Sequence, residues 1–523
     1  MTYPRAEMPA GHGELVAHPP VDEWAALARR NAEEITGWRF TVAGEPIGAL
    51  RERARRELLA LASGETGRLG LAAPPVPPDP GPVIVTGHQP EFCHAGVWVK
   101  DFLLQRTARE SAGVGIDLVV DSDVFETLGV EAPRFTVDVT RTSHLLARGG
   151  PETCFACAPA PSADELERFC ESVGAALSTL PAPAVARHFS RYCDAARAAL
   201  PASRSLAEFM VGARRRYEGD RSDYLELPVT AAARSDAFRA FAVDIVLEAR
   251  RFAEAYNAEL AAYRSLNKVR SDAQPFPDLQ TIDTDVELPF WLLRQGRREA
   301  VFARPEGHAV EVRTAAGPVA ALPADRAGAR EALAGSGVLL APRAATLTLF
   351  ARGLLADLFI HGIGGDRYDR VTEGLAERWW GVRLPRHAVA SLTMLLPLGV
   401  PVDAGARLSE VEHRLHRLAH NPDDALGEVE FETAAEERLA RELAEEKREL
   451  VERISAPGAD RKTLGMRIRV INEELARAVE PLAAEYRAER EQLVRQQAEA
   501  EVLTDRTYPF CFWSPAEISD TVF

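Results

Sequence analysis

The run GPVIVTGHQPEFCHAGVWVK, Gly81 to Lys100, constrains the fold more than any other part of the chain. Its apolar residues Val83, Ile84 and Val85 form a short continuous block that breaks at Gly87, and a helical pattern resumes near Val97. That order predicts a buried strand turning directly into a helix. The helix VWVKDFLLQRTARES is followed by a second apolar run, GIDLVVDSDVF, which completes one βαβ crossover with adjacent parallel strands. Such a turn puts polar side chains and helix-terminal N–H groups at the carboxyl edge of the sheet, where open α/β folds bind ligands. A turn needs glycine and a few polar groups for its own backbone. His88, Gln89 and His94, framed by Gly87 and Gly96, exceed that need and are the first candidate site. Trp98, Phe102 and Leu103 recur at helical spacing and read as core. Lys100 points away from that stripe, as a solvated residue or an anion-binding one.

Asp121 and Asp123 close the second strand and should project at the same edge, where carboxylates could orient an imidazole, bind a substrate amine or hold a metal. A third group runs through LLAPRAATLTLFARGLLADLFIHGIGGDRYD, in which an apolar helix is predicted to lead into His361. Gly362, Gly364 and Gly365 let backbone N–H groups approach a phosphate or carboxylate. His361, Asp366, Tyr368 and Asp369 flank them, and Arg343 precedes them as a further ligand-binding candidate. No Lys and Ser or Thr follow the glycines, so this is not a P-loop.

A chain of 523 residues is too long for one hydrophobic core, and two to four structural units are expected. The net charge of −16 excludes a nucleic-acid backbone as main partner, since no basic stripe offsets phosphate repulsion. No segment approaches the roughly 20 apolar residues that span a bilayer, and no leader pattern opens the sequence. A cytoplasmic protein without membrane contact is therefore expected. Six cysteines in this length make no disulfide framework, and Cys154 and Cys157 read as ordinary thiols without a second ligand pair for zinc.

The expected organisation is an N-terminal helical segment and Pro-rich linker over 1–80, an α/β core over 81–402, a hairpin over 403–503 and a tail over 504–523 returning to the core. A helical insertion is expected near 162–265, and strands at TDVELPFW and RREAVFARPEGHAVEVR, where Arg297, Arg298 and Glu287 are weak binding candidates that read first as structural. In 403–503 one arm carries Leu408, Val411, Leu415 and Leu418, then Leu439, Leu443, Leu450 and Ile454. The return arm carries Leu464, Ile468, Ile471, Leu475, Val479, Leu482, Tyr486 and Leu493. Steps of three, four and seven around Pro457-Gly458 predict an antiparallel coiled-coil hairpin that dimerises the chain.

In this order, the strand ending in TGHQ, the HAG turn, the acidic strand end, HGIGGDRYD and the late coiled coil resemble the bacillithiol-biosynthesis cysteine-adding enzyme family. The resemblance implies a Rossmann-like parallel-sheet core with helical insertions, a dimerising coiled coil, and joining of cysteine to an amino-sugar malate. The family reads TGQQ where this chain has Thr86-Gly87-His88-Gln89, and an EDHDF-like run where it has Asp121-Ser122-Asp123-Val124-Phe125. Those departures alter the polarity of the pocket, so the fold carries over more readily than the substrate. The expected activity is ligase-like: an amide or related bond formed on a small polar amino-sugar or carboxylate substrate. His88, Gln89, His94, Asp121 and Asp123 would be catalytic, and ATP or ADP the cofactor if a carboxylate is activated. No metal ligand is assigned. A nucleotidyl or adenylyl transferase is the neighbouring reading, although the HxGH string is absent; a noncatalytic metabolite-sensing scaffold is the other.

Overall fold

The computed structural model describes residues 7–271, 274–401 and 403–523. Positions 1–6, 272–273 and 402, the last of them the expected end of the core, lie outside the described residues. The chain divides into two compact units: one holds residues through Arg134, Arg141–Leu396 and Arg506–Phe523, the other Phe135–Thr140 and Pro397–Asp505.

The larger unit is built on a six-stranded mixed sheet in the order Glu14–His18, Ala388–Thr393, Leu358–His361, Val83–His88, Val114–Val119, Leu225–Pro228. The last five are parallel; Glu14–His18 runs antiparallel along one edge. Val114–Val119 is buried at every residue, as expected of a parallel strand covered on both faces. Numbered by position in the chain, the parallel strands run 5-4-1-2-3, so strand addition changes direction between Val83–His88 and Leu358–His361.

The predicted strand–turn–helix–strand is present as Val83–His88, Ala95–Ser111 and Val114–Val119. His94 caps the helix, its Nδ1 accepting from the Gly96 N–H at 3.0 Å. Gly87 and Gly96 are required by packing. A Cβ on Gly87 would lie 2.8 Å from the Leu118 carbonyl oxygen, and one on Gly96 would lie 2.7 Å from Ser391 Oγ.

Three local expectations are corrected. His361 ends a strand, not a helix: Ala344–Phe350 is helical, the chain then extends at Ala356, and buried Asp357 fixes the new direction. The Asp357 carboxylate accepts from the Val83 N–H at 2.7 Å and pairs with Arg51 at 2.8 Å. Secondly, the helical region 162–265 contains Leu225–Pro228, which closes the far edge of the sheet. Thirdly, the N-terminal segment contributes the edge strand Glu14–His18 besides the helices Trp24–Ile35 and Ile47–Arg68. The strands expected at TDVELPFW and RREAVFARPEGHAVEVR are present as Asp285–Arg294, Arg297–Glu306 and Ala309–Thr314; with Gly317–Pro323, Leu340–Pro342 and Thr281–Ile282, which the sequence reading did not place, they form a second, antiparallel sheet.

In the smaller unit the apolar positions read from sequence sort into two packed groups. Gly405–His420 meets Glu480–Leu503 through Leu408, Val411, Leu415, Tyr486 and Leu493. Ala434–Ile454 meets Arg461–Ala478 through Leu443, Leu450, Leu464, Ile468, Ile471 and Leu475. Leu439 is exposed. Among the described residues, no helix is long and apolar enough to cross a membrane.

Candidate functional site

The topology brings the three sequence-predicted groups to one edge. His88 and His361 end adjacent parallel strands, and Asp121 and Asp123 follow the end of the next one. At that edge they belong to three distinct arrangements.

His88 sits in a buried ionic network. Asp117, in the middle of an apolar strand, faces Arg214 from the Leu206–Glu218 helix, which also binds Asp101 and Glu226 at 2.8, 2.9 and 2.6 Å respectively. Arg214 Nη1 lies 3.0 Å from His88 Nε2. A guanidinium can only donate, so Nε2 accepts and the neutral ring carries its proton on Nδ1, 3.7 Å from Asp117 Oδ1. Burial pushes the His88 pKa down to about 3 against the pull of Asp117, with Arg214 and Lys100 adding to the fall. The ring is therefore neutral across the physiological range. Burial also pushes Glu226 up to about 7. Lys100 is not solvated: it is buried, and its Nζ donates to Thr86 Oγ1 at 3.2 Å and to the Gly87 carbonyl at 3.1 Å. A hollow of only about 10 Å³ adjoins His88, lined also by Pro90, Glu91, Met210 and Val211.

Asp121 and Asp123 part company. Asp121 is buried and accepts from both the backbone N–H and the hydroxyl of Thr230, and burial pushes its pKa up to about 6 in spite of those bonds. Asp123 keeps 35% of its side chain exposed; it accepts from Gln89 Nε2 at 3.0 Å and Arg298 Nη1 at 2.8 Å. Arg298 stacks on Trp291 at 4.2 Å, and Arg343 on the same ring at 4.0 Å while pairing with Glu287 at 2.6 Å. Arg343 thus belongs beside Trp291, and Arg298, read as structural from sequence, touches a candidate catalytic carboxylate. Cys154 and Cys157 are not free thiols: they form a disulfide, in a loop whose Phe155 and Ala156 N–H groups donate to the carbonyls of Asp123 and Asp121.

Gly362 caps the Ile363–Trp380 helix, and Gly364 and Gly365 lie in its first turn. The sides of Gly362 and Gly364 where a Cβ would project are open. Asp366, Asp369 and Glu373 descend one face of this helix at helical spacing. Asp369 Oδ2 lies 3.2 Å from His361 Nε2 and 3.5 Å from His387 Nδ1; Asp366 Oδ1 lies 2.9 Å from His387 Nε2, and Glu373 Oε1 3.5 Å from His387 Nδ1. Arg352 pairs with Asp369 and, at 3.5 Å, with Glu373. Burial would lower the His387 pKa, but Asp366 and Glu373 outweigh it and push it up to about 8. Burial opposes ionisation of Asp369, yet Arg352 and His361 hold it well below the usual carboxylate range. Tyr368 lies apart, against Tyr263 and Phe276. Sequence reading missed Arg352, Glu373 and His387; the three-four step from Asp366 through Asp369 to Glu373 was the available signal for one of them.

No family model matches the chain, and comparison with curated proteins finds no match.

Proposed function

We propose that this chain is a ligase-like enzyme that forms an amide or related bond on a small polar substrate bearing amine and carboxylate groups. Its core is read as Rossmann-like. The observation that carries the proposal is the gathering of His88, Gln89, Asp123 and His361 at the carboxyl edge of parallel strands, beside the place where strand addition changes direction. In this reading Asp123, oriented by Gln89 and Arg298, holds the substrate amine, and Arg298 and Arg343 on Trp291 supply positive charge for a carboxylate. His94 moves a proton, whereas neutral His88 keeps the Arg214 network in register and does not act as an acid. The resemblance to the cysteine-adding family agrees with cysteine as the amine and a cytoplasmic setting.

Nucleotide use, as ATP or ADP, is favoured by Gly362 and Gly364, which leave the N-terminus of a long helix clear at the same edge. The smaller unit would pair with a second copy as a coiled-coil hairpin, since Leu439, Val451, Met466, Val470 and Val494 are exposed there; a monomer in sedimentation equilibrium removes that part.

The test is a thermal-shift and turnover screen with cysteine, citrate-like acids, ATP and ADP. The expected result is a raised Tm with at least one compound, and loss of that response and of turnover in Asp123→Asn and His94→Ala with the fold retained. No shift and no turnover with any compound would leave a noncatalytic scaffold as the better reading.

A further inference from the structure

The cluster on the Ile363–Trp380 helix has more negative charge than its surroundings neutralise. Asp366, Asp369 and Glu373 are drawn together around two imidazoles, and Arg352 is the guanidinium that pairs with them. Neutral histidines would leave an excess of two negative charges in a largely buried space, an arrangement that needs a partner. Several polar atoms point inward without one: His361 Nε2, His387 Nδ1 and Asp369 Oδ1 are buried and lack a hydrogen-bond partner. His361 is only 8% exposed and Asp369 only 3%.

The orientation of His387 is informative. Its Nε2 is engaged by Asp366 Oδ1 at 2.9 Å, which keeps a proton there, so Nδ1, 3.5 Å from Asp369 and from Glu373, is the nitrogen open to a second cation, a proton or a metal ion. That nitrogen faces two carboxylates, so a positive charge belongs between them, and a metal ion there would displace the proton. A carboxylate that orients one imidazole nitrogen while the other faces an ion is the usual outer-shell arrangement of histidine metal sites.

We propose that Asp369, Glu373 and His387, with His361 as a fourth donor, bind a divalent transition-metal cation such as Zn²⁺. The donor atoms of Asp369, Glu373 and His387 all lie within 4.8 Å of one another. Zinc bonds of about 2.0–2.2 Å in tetrahedral geometry require donors roughly 3.4 Å apart. The separations are 3.5 Å from His387 Nδ1 to Asp369 and to Glu373, and 3.2 Å from His361 to Asp369. Mixed imidazole and carboxylate donors suit zinc, cobalt, manganese or ferrous iron rather than calcium or magnesium. Asp366 would orient His387, and Arg352 would stay on Asp369 as an outer hydrogen-bond donor. The half-buried Glu373 side chain, 36% exposed, is the side from which the ion would enter. His88, Asp101 and Asp117 also approach one another closely, but Arg214 and Lys100 already supply positive charge there.

The site shares His361 with the residues gathered for the reaction proposed above, but its test does not depend on that reaction. The full chain is stripped with a chelator, exchanged into chelator-free buffer and titrated with Zn²⁺ or Co²⁺. Calorimetry and the visible spectrum of bound Co²⁺ are read, with circular dichroism to check folding. One ion per chain is expected, with binding abolished in Glu373→Gln and His387→Gln and weakened about 10–100-fold in Asp366→Asn. If His387→Gln fails to fold, the partly exposed Glu373→Gln decides. Absence of stoichiometric binding, or binding unchanged in Glu373→Gln, overturns the site.

Discussion

Two buried histidine clusters lie at neighbouring strand ends and are solved in opposite ways. Around His88, four carboxylates (Asp101, Asp117, Glu218 and Glu226) meet Arg214, Arg215 and Lys100, so positive and negative groups nearly balance. The imidazole is left neutral and accepts a hydrogen bond from an arginine. Around His387, carboxylates outnumber the guanidinium and the imidazole is drawn toward the charged form. Identical residue types thus make a closed structural network in one place and an unsatisfied, cation-seeking one in the other. The local balance of charge, not the presence of histidine, separates them.

The comparison is broken most directly by removing each arginine. Arg214→Met strands three buried carboxylates and should cost about 3–5 kcal/mol in urea denaturation or prevent folding. Arg352→Met should cost less, because a cation can replace it; equal losses in metal-loaded protein would abolish the distinction. A second effect, smaller near neutral pH, is in the acid limb of stability. The His88 pKa is about 3 in the folded state against 6.5 for the free side chain, so the unfolded chain binds the proton first. Its contribution is complete above pH 6.5 and falls by up to about 1.4 kcal/mol per pH unit as pH drops toward 3. Unfolding midpoints of His88→Gln across that range should show a flatter acid limb than the parent. The smallest effect is expected for Glu226→Gln. With the carboxyl pushed up to about 7, half of it is already protonated at neutral pH, so the change should stay within about 1 kcal/mol at pH 7. A loss as large as that of Arg214→Met would show that Glu226 is fully charged at pH 7.

The strand that carries His88 was legible because Val83, Ile84 and Val85, then Ile116, Leu118 and Val119, form continuous apolar runs around a helix of matching period. The strands Leu225–Pro228 and Leu358–His361 were not, since four-residue segments carry no period that separates strand from helix. Within the site, proximity along the chain was readable and proximity across it was not. Gln89 and Asp123 were both picked out, but Arg298 lies 175 residues beyond Asp123, and Arg214 lies 126 residues beyond His88. The same holds for the disulfide: spacing shows that Cys154 and Cys157 can meet, whereas oxidation depends on the loop geometry around them.

The segment from Tyr508 to Trp513 is buried in the larger unit, where the Phe510 N–H donates to the Cys93 carbonyl at 2.7 Å and Tyr217 donates to the Trp513 carbonyl. These residues follow Pro397–Asp505, which form most of the other unit. On the ribosome, the core around the TGHQ turn must therefore wait for the whole inserted unit to be synthesised before its final aromatic plug arrives. Until then Phe92, Trp98 and Tyr192 lack the ring of Phe510 against which they pack, so nascent chains stalled within the inserted unit are the natural clients of a chaperone.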